Sequence, residues 1–338
     1  MHHSIRGLRR REVIGSVVGG VTMLAAPALA EPIFRIVASG LIGPESPKPL
    51  ADGSILVCEM GRGTLTRILP SGEKKIVADI GLSPNGCAIG PDGAAYVTKN
   101  AGLVWQPMND TQWTSIGPPT PPGQASIVRV DLATGATRTI YVEAAGKPLL
   151  GCNDLVFDRR GGFWFSDLQG KCVLWARPDG SEIHRMAQTS WRPNGIALSP
   201  DGQRLFAAGA NTIYVAHIVE PGRLANPSDP WRPFSRTSLL FDSMAATGDG
   251  GLVAGVLFAF PPPALTDATR GGLAKIDPNG RLVEVVRLPD PLVTSVAFGG
   301  PGLKTAYVTL TSTGRMAALT WPQAGLRLAN QGIGRSRP

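Results

Sequence analysis

The chain has 338 residues, room for a large core in one or two domains, and its formal charge of +8 falls to +5 without residues 1–30, which hold four Arg and one Glu. The remaining basic residues are scattered and form no Lys/Arg run beside aromatic residues, which argues against nucleic acid as a partner. Forty-two Gly, 30 Pro, only 17% charged residues and no apolar pattern at i, i+3, i+4, i+7 exclude a helical bundle and point to an all-β chain.

In chain order, the first element is a leader. Arg9, Arg10 and Arg11 precede an uncharged apolar run over 13–26, too short to span a bilayer, which ends in Ala28-Leu29-Ala30 before Glu31. This predicts an export signal over residues 1–30. The paired arginines before Glu12-Val13-Ile14 resemble a twin-arginine signal, without its usual Phe and Lys. An uncleaved membrane anchor is the alternative. Export predicts a periplasmic or secreted protein with no stable membrane association once the signal is removed.

From residue 51 onward a Gly-containing turn recurs before an alternating apolar strand. The turns are Asp52-Gly53, Asp92-Gly93, Gly161-Gly162, Asp201-Gly202, Asp249-Gly250 and Pro301-Gly302. Glycine at such turns supplies the positive φ of tight hairpins. Counted from Gly53, the intervals are 40, 69, 40, 48 and 52 residues, in the range of propeller repeats. The long second interval holds a Pro/Gly-rich insertion, 117–123, beside Trp105 and Trp113. A second turn series, Ser71-Gly72, Thr134-Gly135, Asp179-Gly180 and Asn279-Gly280, divides most units further into four-stranded meanders. The expected fold is a six-bladed β-propeller over residues 31–323, with residues 33–38 closing the ring and 324–338 as a C-terminal tail. Closure shields the open edges that a single meander would expose.

The four cysteines, Cys58, Cys87, Cys152 and Cys172, form no C-x-x-C pair and are expected as buried thiols, with disulfides the alternative. Only four histidines occur and two, His2 and His3, lie in the leader. A Ser-His-Asp triad or a His-rich zinc site would need His184 or His217, and neither stands in a suggestive motif.

Acidic and amide residues recur just ahead of the expected inner strands: Glu45, Asn85, Asn153, Asn194 and Asp242, with Thr294-Ser295 in the sixth unit. Asn-Gly and Asn-Asp are also ordinary turn formers. In a propeller, equivalent positions of successive blades converge on the axis. Two carboxylates with amide oxygens make an all-oxygen set that suits a hard cation, Ca²⁺ above Zn²⁺, Mn²⁺ or Mg²⁺.

These motifs resemble the SMP-30/gluconolactonase/luciferin-regenerating-enzyme-like propellers over roughly residues 33–320. The resemblance rests on Glu45-Ser46-Pro47, Asn153 to Asp158, Pro193-Asn194-Gly195-Ile196-Ala197 and Val296-Ala297-Phe298-Gly299-Gly300. It implies Glu45, Asn194 and Asp242 as metal ligands, Asn153 as a ligand or a substrate-holding neighbour, and Asn85 as a weaker substrate-binding candidate. Where the family's sugar-acid lactonases carry an Arg, this chain has Gly151, which points toward a less polar lactone or ester. The expected activity is metal-dependent opening of lactone-type esters, with Asp242 as the catalytic base or nucleophile. A phosphotriesterase-like hydrolase and a non-catalytic ligand- or partner-binding propeller are the alternatives. The expected partner is a small-molecule lactone or ester, and the sequence does not address oligomeric state. Trp105, Trp113, Trp191 and Phe258 are candidates for an apolar lid or for core.

Overall fold

The computed structural model describes residues 33–100, 102–117 and 123–331, so the predicted export signal and the end of the tail lie outside the described residues. The first sheet is a meander of Pro44–Pro49, Ile55–Glu59, Thr64–Ile68 and Lys74–Asp79, hydrogen-bonded in chain order. Five more sheets repeat it, starting from innermost strands Pro84–Ile89, Cys152–Phe157, Ile196–Leu198, Leu240–Ala246 and Val293–Gly299. Each innermost strand lies against those of the two flanking sheets, which makes a six-bladed ring. Phe34–Ala38 pairs with Arg315–Thr320 and forms the outer strand of the sixth blade, the expected closure.

Two blades carry additions. The second has a hairpin, Trp105–Asn109 with Gln112–Ser115, inserted between its second and third strands, and the fourth gains a short strand, Arg223–Leu224. The long second interval therefore holds this hairpin and a second, shorter one, Glu143–Ala144 with Lys147–Pro148, while most of the Pro/Gly-rich stretch, residues 118–122, lies outside the described set.

The core lies between blades, one apolar cluster for each of the six junctions. The third blade shows why. In Phe163–Asp167 successive side chains leave opposite faces, so Phe163 and Phe165 pack toward the second blade and Trp164 packs toward the fourth. Phe157 meets Tyr96 edge-on at 5.1 Å across that first junction. Each such side chain, fully buried, contributes about 1.5–3 kcal/mol. All four cysteines are buried free thiols.

One expectation needs correction. The apolar strand after each Gly turn is the second strand of its blade, and the polar residues ahead of it stand in or beside the innermost strand. The innermost strand packs on neighbouring strands while turning polar groups to the axis, so it lacks the alternating apolar signature that marks the second strand.

The innermost strands share an irregularity. In five of the six blades two residues face one on the partner strand, a β-bulge, and the shifts fall between Glu45 and Lys48, Pro84 and Cys87, Cys152 and Leu155, Phe241 and Met244, and Val293 and Val296. A bulge re-aims side chains and leaves a residue unpaired. Asn85, Asn153, Asp242 and Ser295 sit within these bulges, and Glu45 borders one.

At the opposite end of the axis the tail folds back across the opening. Gly325 bridges Thr247, Asn330 Nδ2 donates to Ile89 O at 2.9 Å, and Gln331 Nε2 donates to Phe298 O at 2.8 Å. The cavity beneath the polar cluster is thus floored by Leu326, Leu328 and Asn330.

Candidate active site

Glu45 is 3% exposed at the start of the first innermost strand. Its Oε2 accepts hydrogen bonds from Ser295 Oγ at 2.6 Å and from Ser46 N at 3.1 Å. Ser46, within the bulge, stands in the left-handed region, φ 50°, a conformation that non-glycine residues adopt at a cost of about 1–3 kcal/mol. Burial pushes the Glu45 carboxyl up to about 7, against the lowering effect of Ser295, Thr294 and the Ser46 amide; the Asp154 charge adds to the rise.

Asp242, in the fifth blade's bulge, is also buried, at 9% exposure. Burial and then the Glu45 charge raise its carboxyl well above the usual range, while a hydrogen bond from the Asn194 side chain opposes them. Glu45, Asn194 and Asp242, three of the predicted residues, therefore meet on the axis from the first, fourth and fifth blades.

The amide oxygens complete the picture. Asn153 Oδ1 and Asn194 Oδ1 are both buried without a hydrogen-bond partner. Leaving a buried acceptor unpaired costs about 1–3 kcal/mol, so such groups call for an explanation. Their backbones are held firmly. Thr98 Oγ1 donates to Asn153 O at 2.5 Å, and Ser166 Oγ donates to Asn194 O at 2.6 Å, each reaching across a blade junction. Asn85 differs: buried on the second blade, its Nδ2 donates to the Met60 thioether at 3.4 Å, which ties it to the first blade.

The glycines after two of these asparagines are not turn residues, as Asn-Gly pairs suggest. Neither Gly86 nor Gly195 has positive φ. A Cβ on Gly86 would lie 2.6 Å from Asn153 O, and one on Gly195 would lie 2.4 Å from Ser243 Cα. Glycine is required because adjacent innermost strands approach too closely for any side chain.

Sequence reasoning passed over Asp154 and Ser295 as site residues. Asp154 is buried on the axis, and its oxygens accept from Leu155 N at 2.8 Å and Ile196 N at 3.1 Å. Burial raises its carboxyl, and the Lys48 charge partly compensates. Asp154 thus bonds the third blade to the fourth, with both oxygens engaged. The adjoining Asn153-Asp154 pair was its only sequence signal. Ser295 had none beyond its position in the repeat.

Among the described residues no group of three or more His, Cys, Asp or Glu is placed to hold a metal ion. A cation on this axis would depend on amide oxygens beside Glu45 and Asp242. The donor set fits that role: two desolvated carboxylates that repel each other, and two buried amide oxygens with nothing to accept from.

Of the aromatic lid candidates, Trp105 and Trp113 belong to the inserted hairpin at this end of the ring. Trp191 instead stacks on Tyr214 at 4.2 Å and meets Trp231 edge-on, within the junction of the third and fourth blades. Phe258 is exposed beyond the end of Leu252–Leu257.

Known proteins share this architecture. The family model for the SMP-30/gluconolactonase/LRE-like region matches residues 44–312. A 6-deoxy-6-sulfogluconolactonase of Pseudomonas putida is 29% identical over 197 residues, 53% of this chain and 61% of that protein. A gluconolactonase of Zymomonas mobilis is 24% identical over 254 residues, covering 67% of this chain and 60% of its own. The chain thus spans about three-fifths of the length of these relatives. Among solved structures, a gluconolactonase from Xanthomonas campestris superposes with a TM-score of 0.65 at 20% identity, over 85% of this chain and 89% of that one. A calcium-binding regucalcin from Agrobacterium tumefaciens gives 0.63 at 16% identity, over 91% and 100%. At such identities the structures speak for the fold alone. The family match spans most of the ring, including the segments that carry Glu45, Asn153, Asn194 and Asp242: the chain belongs to the SMP-30/gluconolactonase/LRE-like family.

Proposed function

We propose that this protein is a metal-dependent hydrolase that opens lactone-type esters on the propeller axis. Membership of a family that includes gluconolactonases supports lactone hydrolysis as the reaction class. The observation that carries the metal is the pair of buried, unpartnered oxygens, Asn153 Oδ1 and Asn194 Oδ1, beside two carboxylates raised chiefly by burial, Asp242 also by the Glu45 charge and Glu45 by that of Asp154. Glu45, Asn153, Asn194 and Asp242 would hold the ion. An all-oxygen set without imidazole or thiolate favours Ca²⁺ over Zn²⁺, Mn²⁺ or Mg²⁺.

A bound divalent cation supplies Lewis acidity to a carbonyl oxygen and stabilises the oxyanion that develops on it. Asp242 is the group that takes a proton from water or attacks the carbonyl carbon itself, the two roles open to a carboxylate at such a site. Asn194 orients it by donating to its carboxylate. Glu45 is held in one orientation by Ser295 and Ser46. We place this activity after export, in the periplasm or outside the cell, on the strength of the Arg9–Arg11 cluster and the Ala28-Leu29-Ala30 site.

The test is a lactone panel assayed with EDTA and after restoring Ca²⁺, Mn²⁺ or Zn²⁺. The expected result is hydrolysis that EDTA abolishes and one cation restores, with far-UV circular dichroism unchanged, and loss of turnover in Asp242→Asn. Full activity in EDTA, or in that variant, would remove the metal or Asp242 from the mechanism. Hydrolysis of a fluorophosphate but of no lactone would transfer the same site to phosphotriester chemistry.

A further inference from the structure

Thirteen large apolar side chains are exposed among the described residues, and six of them gather at the end of the ring that carries Glu45 and Asp242. Leu82 and Leu150 stand two residues ahead of the innermost strands that hold Asn85 and Asn153. Phe258 and Phe260 follow Leu252–Leu257, whose register pairs Val256 with Phe241 and so ends beside Asp242. Met108 lies in the inserted hairpin and Ile116 just after it.

That hairpin is tied down across the mouth. Buried Gln112 donates from Nε2 to Pro263 O at 3.3 Å and to Ser312 Oγ at 3.1 Å, and its Oε1 accepts from Leu265 N at 2.9 Å. Trp113 N donates to Ser312 O at 2.7 Å. At the other end the Trp105 ring packs against Gly43 and Gly61, close enough that a Cβ on Gly43 would lie 3.0 Å from it. The hairpin thus runs from the first blade to loops of the fifth and sixth as a fixed strap, and joins its own apolar side chains to those of the fifth-blade loop.

Exposed apolar groups concentrated at one end of a fold mark a binding surface, and here that end is the one at which the innermost strands carrying Glu45, Asn85 and Asn153 begin. We propose that the strap and the fifth-blade loop form an apolar collar that selects lactones bearing an alkyl substituent, the ring seated at the axis and the chain lying along Met108 and Phe260. This rests on the lactone reading above and adds the substrate class to it.

The collar is tested by binding, independently of turnover. Isothermal titration of the full-length protein with γ-lactams, ring amides standing in for the lactone, compares a methyl with a hexyl substituent. Affinity is expected to rise about tenfold or more with the longer chain, because each buried methylene adds to the gain. Met108→Ser and Phe260→Ser, both at exposed positions, are expected to bring the two affinities together. Equal affinity for both lactams, or variants that leave the ratio intact, overturns the collar. So does equal affinity combined with a dimer that these variants dissociate in sedimentation, which would assign the surface to a second copy. Chain-length discrimination without hydrolysis of any lactone would uphold the collar and sink the lactonase reading; hydrolysis without discrimination would do the reverse.

Discussion

Ser295 Oγ donates to Glu45 Oε2 at 2.6 Å although the two residues are 250 positions apart, because ring closure sets the sixth blade's innermost strand against the first. One carboxylate oxygen is thereby committed to holding the side chain in place. A group that orients a metal-binding carboxylate typically changes affinity when removed. Ser295→Ala should weaken Ca²⁺ binding about tenfold or more, measured by calorimetry, with an almost unchanged thermal midpoint. Unaltered affinity would make the bond purely structural.

The Glu45–Asp242 pair should be a burden to the cation-free protein. Burial and the Glu45 charge both disfavour ionised Asp242 in the fold. In EDTA at neutral pH, Asp242→Asn and Glu45→Gln should therefore melt higher than wild type, by ~2 °C or more. Added Ca²⁺ should raise the midpoint of wild type and leave both variants where they were. Identical Ca²⁺-induced shifts in all three proteins would contradict cation binding by these carboxylates.

Gly86 and Gly195 allow neighbouring innermost strands to touch. Gly195→Ala would force a methyl group against the Asp242-Ser243 backbone and should cost about 1–3 kcal/mol or more by urea denaturation. Gly86→Ala should behave similarly through Asn153 and Asp154. A cost below the error of the measurement would show that the blades separate easily.

Asp290 offers a pH signature away from the axial cluster. Burial pushes its carboxyl from 3.8 up to about 6, although the Thr313 hydroxyl and the Thr313, Leu292 and Ser312 amides all donate to it. A raised value in the folded state means that its stabilising contribution is complete below about 3.8 and is lost as pH rises through about 6, a difference of about 3 kcal/mol. Asp290→Asn stays neutral throughout. Its thermal midpoint relative to wild type should thus be more favourable at pH 7.5 than at pH 4. A constant difference across that range would refute the assignment.

Much of this protein was legible before any coordinates. The Gly turns recur because tight hairpins need positive φ wherever they occur, and Gly53, Gly93, Gly202 and Gly250 all adopt it. Periodicity of 40–50 residues then implied six blades, and the apolar second strands implied a core between them. The polar positions Glu45, Asn153, Asn194 and Asp242 stood out because they keep the same phase in successive repeats.

Sequence alone thus determined the repeat, the ring it builds and the residue types offered to the axis, since these depend on local backbone preferences and two-residue alternation. Only the tertiary structure decided which oxygens are left without partners, that Ser295 holds Glu45, that Asp154 spends its oxygens between blades, and that Gln112 anchors a strap over the mouth. Those contacts join positions up to 250 residues apart, and no local pattern encodes a distance that exists only once the ring has closed.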